Sequence, residues 1–147
     1  MSKKESWFWG KIRDNLKLDF MKRVENKVEP GWPDVHYLHK ALSGWIELKY
    51  EAKFPRKIDF EPGQPIWLDN YFRNGGCCYV WLYVEKDNTI YIWLGCHAKE
   101  LNELGGTEKV KPFAQVQMNA RGWLELYQLL FSTENSNVEL LTYQNNP

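Results

Sequence analysis

The chain of 147 residues carries as many Lys and Arg residues as Asp and Glu residues, so its net charge gives no general argument for a polyanionic partner. This length fits a single domain spanning residues 1–147. No apolar segment approaches the roughly 18 residues needed to cross a bilayer. The N-terminus lacks a signal-peptide pattern, and three cysteines cannot pair evenly. We therefore expect a cytoplasmic protein without a membrane partner.

The charges are unevenly distributed along the chain. Residues 1–57 carry thirteen Lys and Arg residues against eight Asp and Glu residues, whereas the remainder carries six against eleven. Both sets can be solvated faces, or the basic half can face a polyanion, and the pattern alone leaves both alternatives open.

The first half of the chain predicts one helix followed by a hairpin. Apolar residues at helical spacing predict an amphipathic helix over residues 6–25. The two prolines of residues 29–33 require a loop. Residues 35–38 and 44–50 then resemble two strands joined by a turn over residues 40–44.

The middle of the chain predicts a mobile loop, a short helix and a second hairpin. Residues 53–63 are rich in proline and charge, which is typical of a loop. A helix begins at Gln64 or Pro65 and ends near Phe72, before two glycines. Two segments rich in β-branched and aromatic residues, 77–84 and 89–94, predict the second hairpin, so the sheet has at least four strands.

Residues 96–147 give a weaker pattern. Residues 98–104 and 121–131 look helical, and residues 134–147 resemble a frayed tail. The predicted division is a core of about residues 6–95 followed by a helical extension of about residues 96–147.

The first hairpin carries a set of side chains suited to phosphodiester hydrolysis. Asp34 stands at the start of one strand and Glu47 in the middle of its partner, so antiparallel pairing can bring both carboxylates to one cation. The Leu48 carbonyl can supply a third ligand, and oxygen ligands suit Mg²⁺ or Mn²⁺. Lys49 projects on the same side as Glu47, where it can orient water and stabilise a phosphate.

These residues resemble a known signature. Gly31-Trp32-Pro33-Asp34, followed after twelve residues by Glu47-Leu48-Lys49, is similar to that of the PD-(D/E)XK nucleases. The surrounding segments, Arg23-Val24-Glu25-Asn26, Gly44-Trp45-Ile46 and Gln64 at a helix start, resemble the virus-type replication-repair nuclease (VRR-NUC) branch. The resemblance covers about residues 23–84.

The resemblance implies an α/β fold of the restriction-endonuclease type, a mixed β-sheet flanked by helices, and a Mg²⁺ or Mn²⁺ ion. It makes Asp34 and Glu47 metal ligands and Lys49 the catalytic lysine. It also implies that Glu25, an acidic residue on the first helix, approaches the metal, and that Gln64 supports catalysis near the lysine. The long proline-rich segment before Gln64, and everything past Gly95, depart from the compact family core.

Four further residues are candidates for DNA contacts. Lys53, Arg56 and Lys57 follow the second strand on a loop that can grip backbone phosphates, although the loop can equally be only solvated. Trp32 neighbours a predicted ligand and can stack on a splayed base, although packing against the sheet is the commoner use of such a ring.

Zinc and thiol chemistry have weaker support. His36 and His39 do not match the ligand spacing of a second pair, and Cys96-His97 lies far away in the sequence. Cys77 and Cys78 fall in a predicted core strand, where cysteines act as small hydrophobic residues.

The resemblance implies a DNA endonuclease selective for branched DNA, similar to phage Holliday junction resolvases and encoded by a phage in a bacterial host. A four-way junction needs two coordinated cuts, so a homodimer is implied. The alternatives are a general or restriction-type nuclease without junction preference, and a nucleic-acid-binding module without turnover.

Overall fold

The computed structural model of the chain describes residues 1–25 and 28–131. Within them, one sheet has six strands in the order β1-β2-β3-β4-β5-β6. The strands are β1 (Phe20–Arg23), β2 (Val35–His39), β3 (Leu42–Glu51), β4 (Cys78–Val84), β5 (Thr89–Leu94) and β6 (Ala114–Gln117). The helices are α1 (Lys3–Leu16), α2 (Gln64–Arg73), α3 (Ala98–Leu101), α4 (Gly106–Lys109) and α5 (Ala120–Phe131).

The sheet is mixed. β3 and β4 run parallel, joined by a crossover through α2, while the other neighbouring strands run antiparallel. β4 is buried along its whole length, as expected for a strand with neighbours on both sides and helices above and below. The predicted α/β class, with a mixed sheet flanked by helices, is confirmed.

Helices cover both faces of the sheet. On one face, Phe8 of α1 contacts Tyr83 of β4, and Phe131 of α5 contacts Tyr37 of β2. On the other face, Trp67 of α2 contacts Trp45 of β3. Because side chains alternate along a strand, the face that carries Trp45 also carries Glu47 and Lys49.

The prediction of one helix over residues 6–25 was wrong. α1 begins at Lys3, with Ser2 as its N-cap, and ends at Leu16, because Lys17 adopts a left-handed conformation with φ of 50°. Residues that continue the apolar spacing, including Phe20, belong instead to strand β1, which pairs with β2. Phe20 is 40% exposed, so its helical spacing from Leu16 does not correspond to a buried face of a helix.

Both predicted hairpins are confirmed, with a change of bounds in the first. Its turn is Lys40 and Ala41, both with positive φ, so β3 begins at Leu42 rather than at Gly44. The predicted helices near Gln64 and over residues 121–131 correspond to α2 and α5.

The region after Gly95 holds more than the predicted helices. The helix predicted over residues 98–104 is the shorter α3, and β6 adds a strand at the sheet edge. Residues 134–147, predicted as a frayed tail, lie outside the described residues. In the part of the chain that the structure describes, no helix is both long and apolar enough to cross a membrane.

Candidate active site

Asp34 is fixed between two strands. The β2–β3 ladder ends where Val35 pairs with Ile46, and Asp34 stands one residue beyond it, opposite Glu47. Its main-chain carbonyl accepts a hydrogen bond of 2.7 Å from Val24 N–H, and its Oδ2 accepts one of 2.9 Å from Leu48 N–H. The carboxylate of Asp34 therefore accepts the hydrogen bond from Leu48 that a main-chain carbonyl of β2 would accept if the ladder continued.

Glu47 is an almost fully buried carboxyl group beside Asp34, with 2% of its surface exposed. Burial raises the pKa of Glu47 well above its usual range, the charge of Asp34 raises it further, and Lys49 opposes the shift. Burial also raises the pKa of Asp34, while the Leu48 N–H lowers it. The pair is therefore costly to ionise unless a proton or a cation lies between its oxygens.

One oxygen of Glu47 has no donor. Glu47 Oε2 is 3.1 Å from the ammonium nitrogen of Lys49, whereas no donor of the described residues reaches the buried Oε1, and a hydrogen bond between the Glu47 and Asp34 side chains requires a shared proton. A buried oxygen of this kind requires either a proton, which neutralises the carboxyl group, or a metal ion, because a buried charge without a partner is strongly destabilising.

The main-chain N–H of Leu48 faces the carboxylate of Asp34. The N–H and C=O of a strand residue point to the same side, and the Leu48 N–H points to Asp34. The Leu48 carbonyl therefore faces the edge of β3 beyond the end of β2. This geometry fits the predicted third oxygen ligand.

The carboxyl pair opens into a cavity of about 300 Å³. Its walls include Glu5 of α1, Lys49, Phe60 and Gln64. Gln64 is buried, and its Oε1 accepts a hydrogen bond of 2.9 Å from Glu61 N–H. The structure thus brings four predicted site residues, Asp34, Glu47, Lys49 and Gln64, to one cavity.

Two glycines allow two main-chain segments beside this cavity to approach closely. Gly31 and Gly63 both have positive φ, and a Cβ on Gly31 would lie 3.0 Å from the carbonyl carbon of Gly63. This close approach joins the turn before Asp34 to the start of the helix that carries Gln64. A side chain at Gly31 would separate the two.

The loop over residues 52–63 is anchored rather than loosely attached. Its Ile58 N–H donates to the Leu101 carbonyl at 2.7 Å, and its Phe60 N–H donates to Asn102 Oδ1 at 3.2 Å. Its Arg56 carbonyl also accepts from Gly105 N–H at 3.0 Å. The region after Gly95 therefore braces the loop that brings Phe60 to the cavity, where the ring centroid lies 4.9 Å from Lys49 Nζ.

Glu25 does not line this cavity. It follows β1 instead of lying on the first helix, its side chain is 60% exposed, and it pairs with Arg23 at 2.7 Å. Glu5 is the acidic residue of the first helix that lines the cavity. The sequence did carry a signal for it, since Ser2 and Glu5 have the spacing of a capping box; in the structure the Glu5 N–H donates to Ser2 Oγ and the Ser2 hydroxyl donates to Glu5 Oε1.

The predicted DNA-contact residues lie outside the cavity walls. Lys53 is exposed, Arg56 pairs with Glu108 and Lys57 pairs with Asp59, each pair at 3.0 Å. These pairs are exposed and weak, so both cations can exchange partners.

Trp32 is half-buried in an aromatic cluster. Its ring centroid lies 5.4 Å from that of Trp45 and 5.6 Å from that of Trp67. Contact of Trp32 with DNA stays a prediction.

The candidate metal centre has two carboxylates at its core. Within residues 1–25 and 28–131, no three His, Cys, Asp or Glu side chains lie close enough together to hold a metal ion. The donor set that fits a cation is therefore Asp34, Glu47 and the main-chain carbonyl of Leu48, with Glu5 on the cavity wall. This all-oxygen set suits a hard cation that keeps several water ligands, as Mg²⁺ does.

Comparisons with known proteins give a weak structural likeness. No protein-family model matches the sequence, and no curated protein matches it. A structure that resembles this one is that of Hjc, a Holliday junction resolvase from the archaeal hyperthermophile Archaeoglobus fulgidus, at 20% identity and a TM-score of 0.41. The likeness covers 52% of this chain and 64% of the resolvase, less than two thirds of its length.

Proposed function

We propose that the protein is a metal-dependent endonuclease that hydrolyses phosphodiester bonds of branched DNA. The observation that carries this proposal is the meeting of Asp34 with Glu47, whose buried Oε1 has no donor among the described residues. Two adjacent buried carboxylates destabilise the metal-free protein when both are ionised, and a bound cation would offset their charge.

Asp34, Glu47 and the Leu48 carbonyl would hold Mg²⁺ or Mn²⁺. When bound, such an ion lowers the pKa of water and offsets the charge that grows on the phosphate oxygens. Lys49 lies within 3.1 Å of Glu47 and binds the scissile phosphate as a fixed positive charge. Gln64, held by Glu61, closes the cavity beside it.

The branched substrate rests on the resemblance of about residues 23–84, through the segments around the Asp34-to-Lys49 motif, to the VRR-NUC branch. Two symmetric cuts in a four-way junction require two copies of the site, so the proposal includes a homodimer. A general nuclease needs neither the junction nor the dimer, and a binding module needs no cation.

The test uses three end-labelled substrates: a four-way junction, a linear duplex and a single strand. Each is incubated with wild type, Glu47→Ala and Lys49→Ala in Mg²⁺, Mn²⁺ or EDTA. We expect wild type to cut the junction in Mg²⁺ or Mn²⁺ only, and both variants to bind the junction without cutting it.

Other outcomes identify the alternatives. Equal cutting of all three substrates would indicate a general nuclease, and tight binding without cutting would indicate a binding module. Wild-type cutting rates in either variant would place the catalytic site elsewhere.

A further inference from the structure

A second cavity lies between α1, the β4–β5 turn and the start of α5. Its volume is about 440 Å³, within the range of ligand-binding pockets. Its walls include Trp7, Lys11, Asn15, Asn88, Asn119 and Trp123. Lys11 is the one charged side chain among the described residues that line it, and none of them is a carboxylate.

The rim of this second cavity is preformed. Asn88 Oδ1 accepts from the Tyr83 hydroxyl at 2.7 Å, and Asn88 Nδ2 donates to the Met118 carbonyl at 3.2 Å. Asn119 Oδ1 accepts from Gly122 N–H at 2.8 Å. These bonds fix the wall that faces Lys11, so a ligand need not order it on binding.

The second cavity lies against one face of α1, C-terminal to the part of the helix that carries Glu5 in the first cavity. Lys4, Trp7, Lys11 and Asn15 recur at helical spacing and share this face. Lys4 Nζ lies 5.4 Å from the ring of Tyr50, whose side chain is on the face of β3 opposite to Lys49, and Lys11 Nζ lies 5.5 Å from the Trp7 ring. At about 1.5 Å per residue, Lys11 is about 9 Å along the helix from Glu5 in the first cavity.

We propose that this face of α1 binds the DNA backbone and that the second cavity receives a phosphate beside Lys11. The inference rests on the proposed function, because it follows one DNA strand from the phosphate that would be cleaved in the first cavity to the second cavity. At about 3.4 Å of rise per nucleotide, 9 Å corresponds to roughly three nucleotides. Trp7, which is 44% exposed, lies where the neighbouring sugar or an unstacked base would pass.

Charge complementarity favours DNA as the occupant. Among the described residues, no salt bridge of 4 Å or less engages Lys11, whereas Arg56 and Lys57 of the loop each pair with a carboxylate. A cation without a carboxylate partner contacts a phosphate without first giving up an ion pair. Lys53 of the loop also has no salt bridge within the described part of the chain, but Lys11 offers its charge inside a cavity whose described lining holds no carboxylate.

The test measures binding without cleavage. Fluorescence anisotropy of a labelled junction in EDTA gives Kd over a series of salt concentrations for wild type, Lys11→Ala, Lys11→Arg and Trp7→Ala. Lys99→Ala, an exposed lysine on α3 across the sheet, is the matched control for the loss of one charge.

We expect Lys11→Ala to raise Kd severalfold and to reduce the slope of log K against log salt by about 1, as the loss of one phosphate contact requires. Lys11→Arg should restore most of the affinity, Trp7→Ala should weaken binding with the slope unchanged, and Lys99→Ala should match wild type. Unchanged binding by Lys11→Ala, or an equal loss in Lys99→Ala, would overturn the proposal. A change in sedimentation mass of Lys11→Ala, with DNA affinity unchanged, would overturn it in favour of a contact between two copies of the chain.

Failure of this proposal can be distinguished from failure of the proposed function. Cleavage by wild type together with normal binding by Lys11→Ala would reject only the α1 surface. Binding that depends on Lys11, together with no cleavage in Mg²⁺ or Mn²⁺, would reject only the nuclease.

Discussion

The main-chain N–H of Leu48 donates a hydrogen bond of 2.9 Å to Oδ2 of Asp34, where the β2–β3 ladder ends. This bond holds the carboxylate of Asp34 against β3, next to the buried Glu47. The position of one candidate ligand is therefore set by the main chain of the strand that carries the other.

Glu47→Gln should stabilise the metal-free protein at neutral and alkaline pH. Burial, followed by the charge of Asp34, raises the pKa of Glu47, so the folded protein binds this proton more tightly than the unfolded chain does. The stabilising contribution of protonated Glu47 is fully present below about pH 4.5, its ordinary pKa in the unfolded chain. This contribution is lost as the pH rises through the higher pKa of Glu47 in the folded protein. The amide needs no proton, and we expect a gain of about 1–3 kcal/mol at pH 8.

Urea unfolding in EDTA at about pH 5 and about pH 8 measures this effect. Wild type should lose stability between the two pH values, and Glu47→Gln should lose less. The same loss in both proteins would show that Glu47 is not the titrating group.

Lys49→Ala should slow cleavage by about 10²–10⁴-fold without weakening the binding of Mn²⁺. The ammonium group lies within 3.1 Å of Glu47 Oε2 but is not itself a metal ligand. Single-turnover cleavage and calorimetric titration of Mn²⁺ measure the two quantities separately. A parallel loss of both would mean that Lys49 only keeps the carboxyl pair folded.

Phe60 should act as a positioning residue for Lys49. Its ring centroid lies 4.9 Å from Lys49 Nζ, a contact worth about 0.5–2 kcal/mol, so Phe60→Leu should reduce the single-turnover rate by about 2-fold to 30-fold. Phe60→Tyr keeps the π face and should retain the rate. Equal rates in the Leu and Tyr variants would reject the role of the ring.

The brace from Asn102 gives an independent test of the same loop. Asn102 Oδ1 accepts the Phe60 N–H, an acceptor that Asn102→Asp keeps and Asn102→Ala removes. We expect Asn102→Ala to slow cleavage in the manner of Phe60→Leu, with Mn²⁺ affinity unchanged. An unaffected rate in Asn102→Ala would show that the loop holds its place without this bond.

Glu5, and not Glu25, should influence the cation. Glu5→Gln keeps the hydrogen bond of the helix cap but removes a negative charge from the cavity, so the Mg²⁺ concentration for half-maximal cleavage should rise by about 10–100-fold. Glu25→Gln, which changes an exposed side chain outside the cavity, should match wild type. The reverse result would restore the assignment made from the sequence.

The local features of the site could be predicted from the sequence, because one hairpin carries them. The alternation of β3 places Glu47 and Lys49 on one face, and the proline turn places Asp34 at the start of β2. The end of α1 could not be predicted, because the apolar spacing of a helix continues by coincidence through Phe20 of a strand. Only the left-handed Lys17 interrupts it.

Contacts between distant segments also escaped prediction. The brace on the loop joins residues about fifty positions apart, such as the Pro55 carbonyl and the Thr107 hydroxyl, and no local pattern encodes such a pair. β6 is a short edge strand in which Gln115 and Gln117 face solvent. Val116 is its one buried apolar residue, which is too little to predict a strand from the sequence. Glu5 was missed because the helix was predicted to begin after it.

Calorimetric titration of Mn²⁺ into wild type, Asp34→Asn and Glu47→Gln tests most directly whether the two carboxyl groups share one ion. We predict one site per chain in wild type, lost in each variant, and a melting temperature for wild type that rises by about 5–10 °C at a hundred times Kd. Wild-type affinity in either variant, or two independent sites of which each variant removes one, would contradict a shared cation.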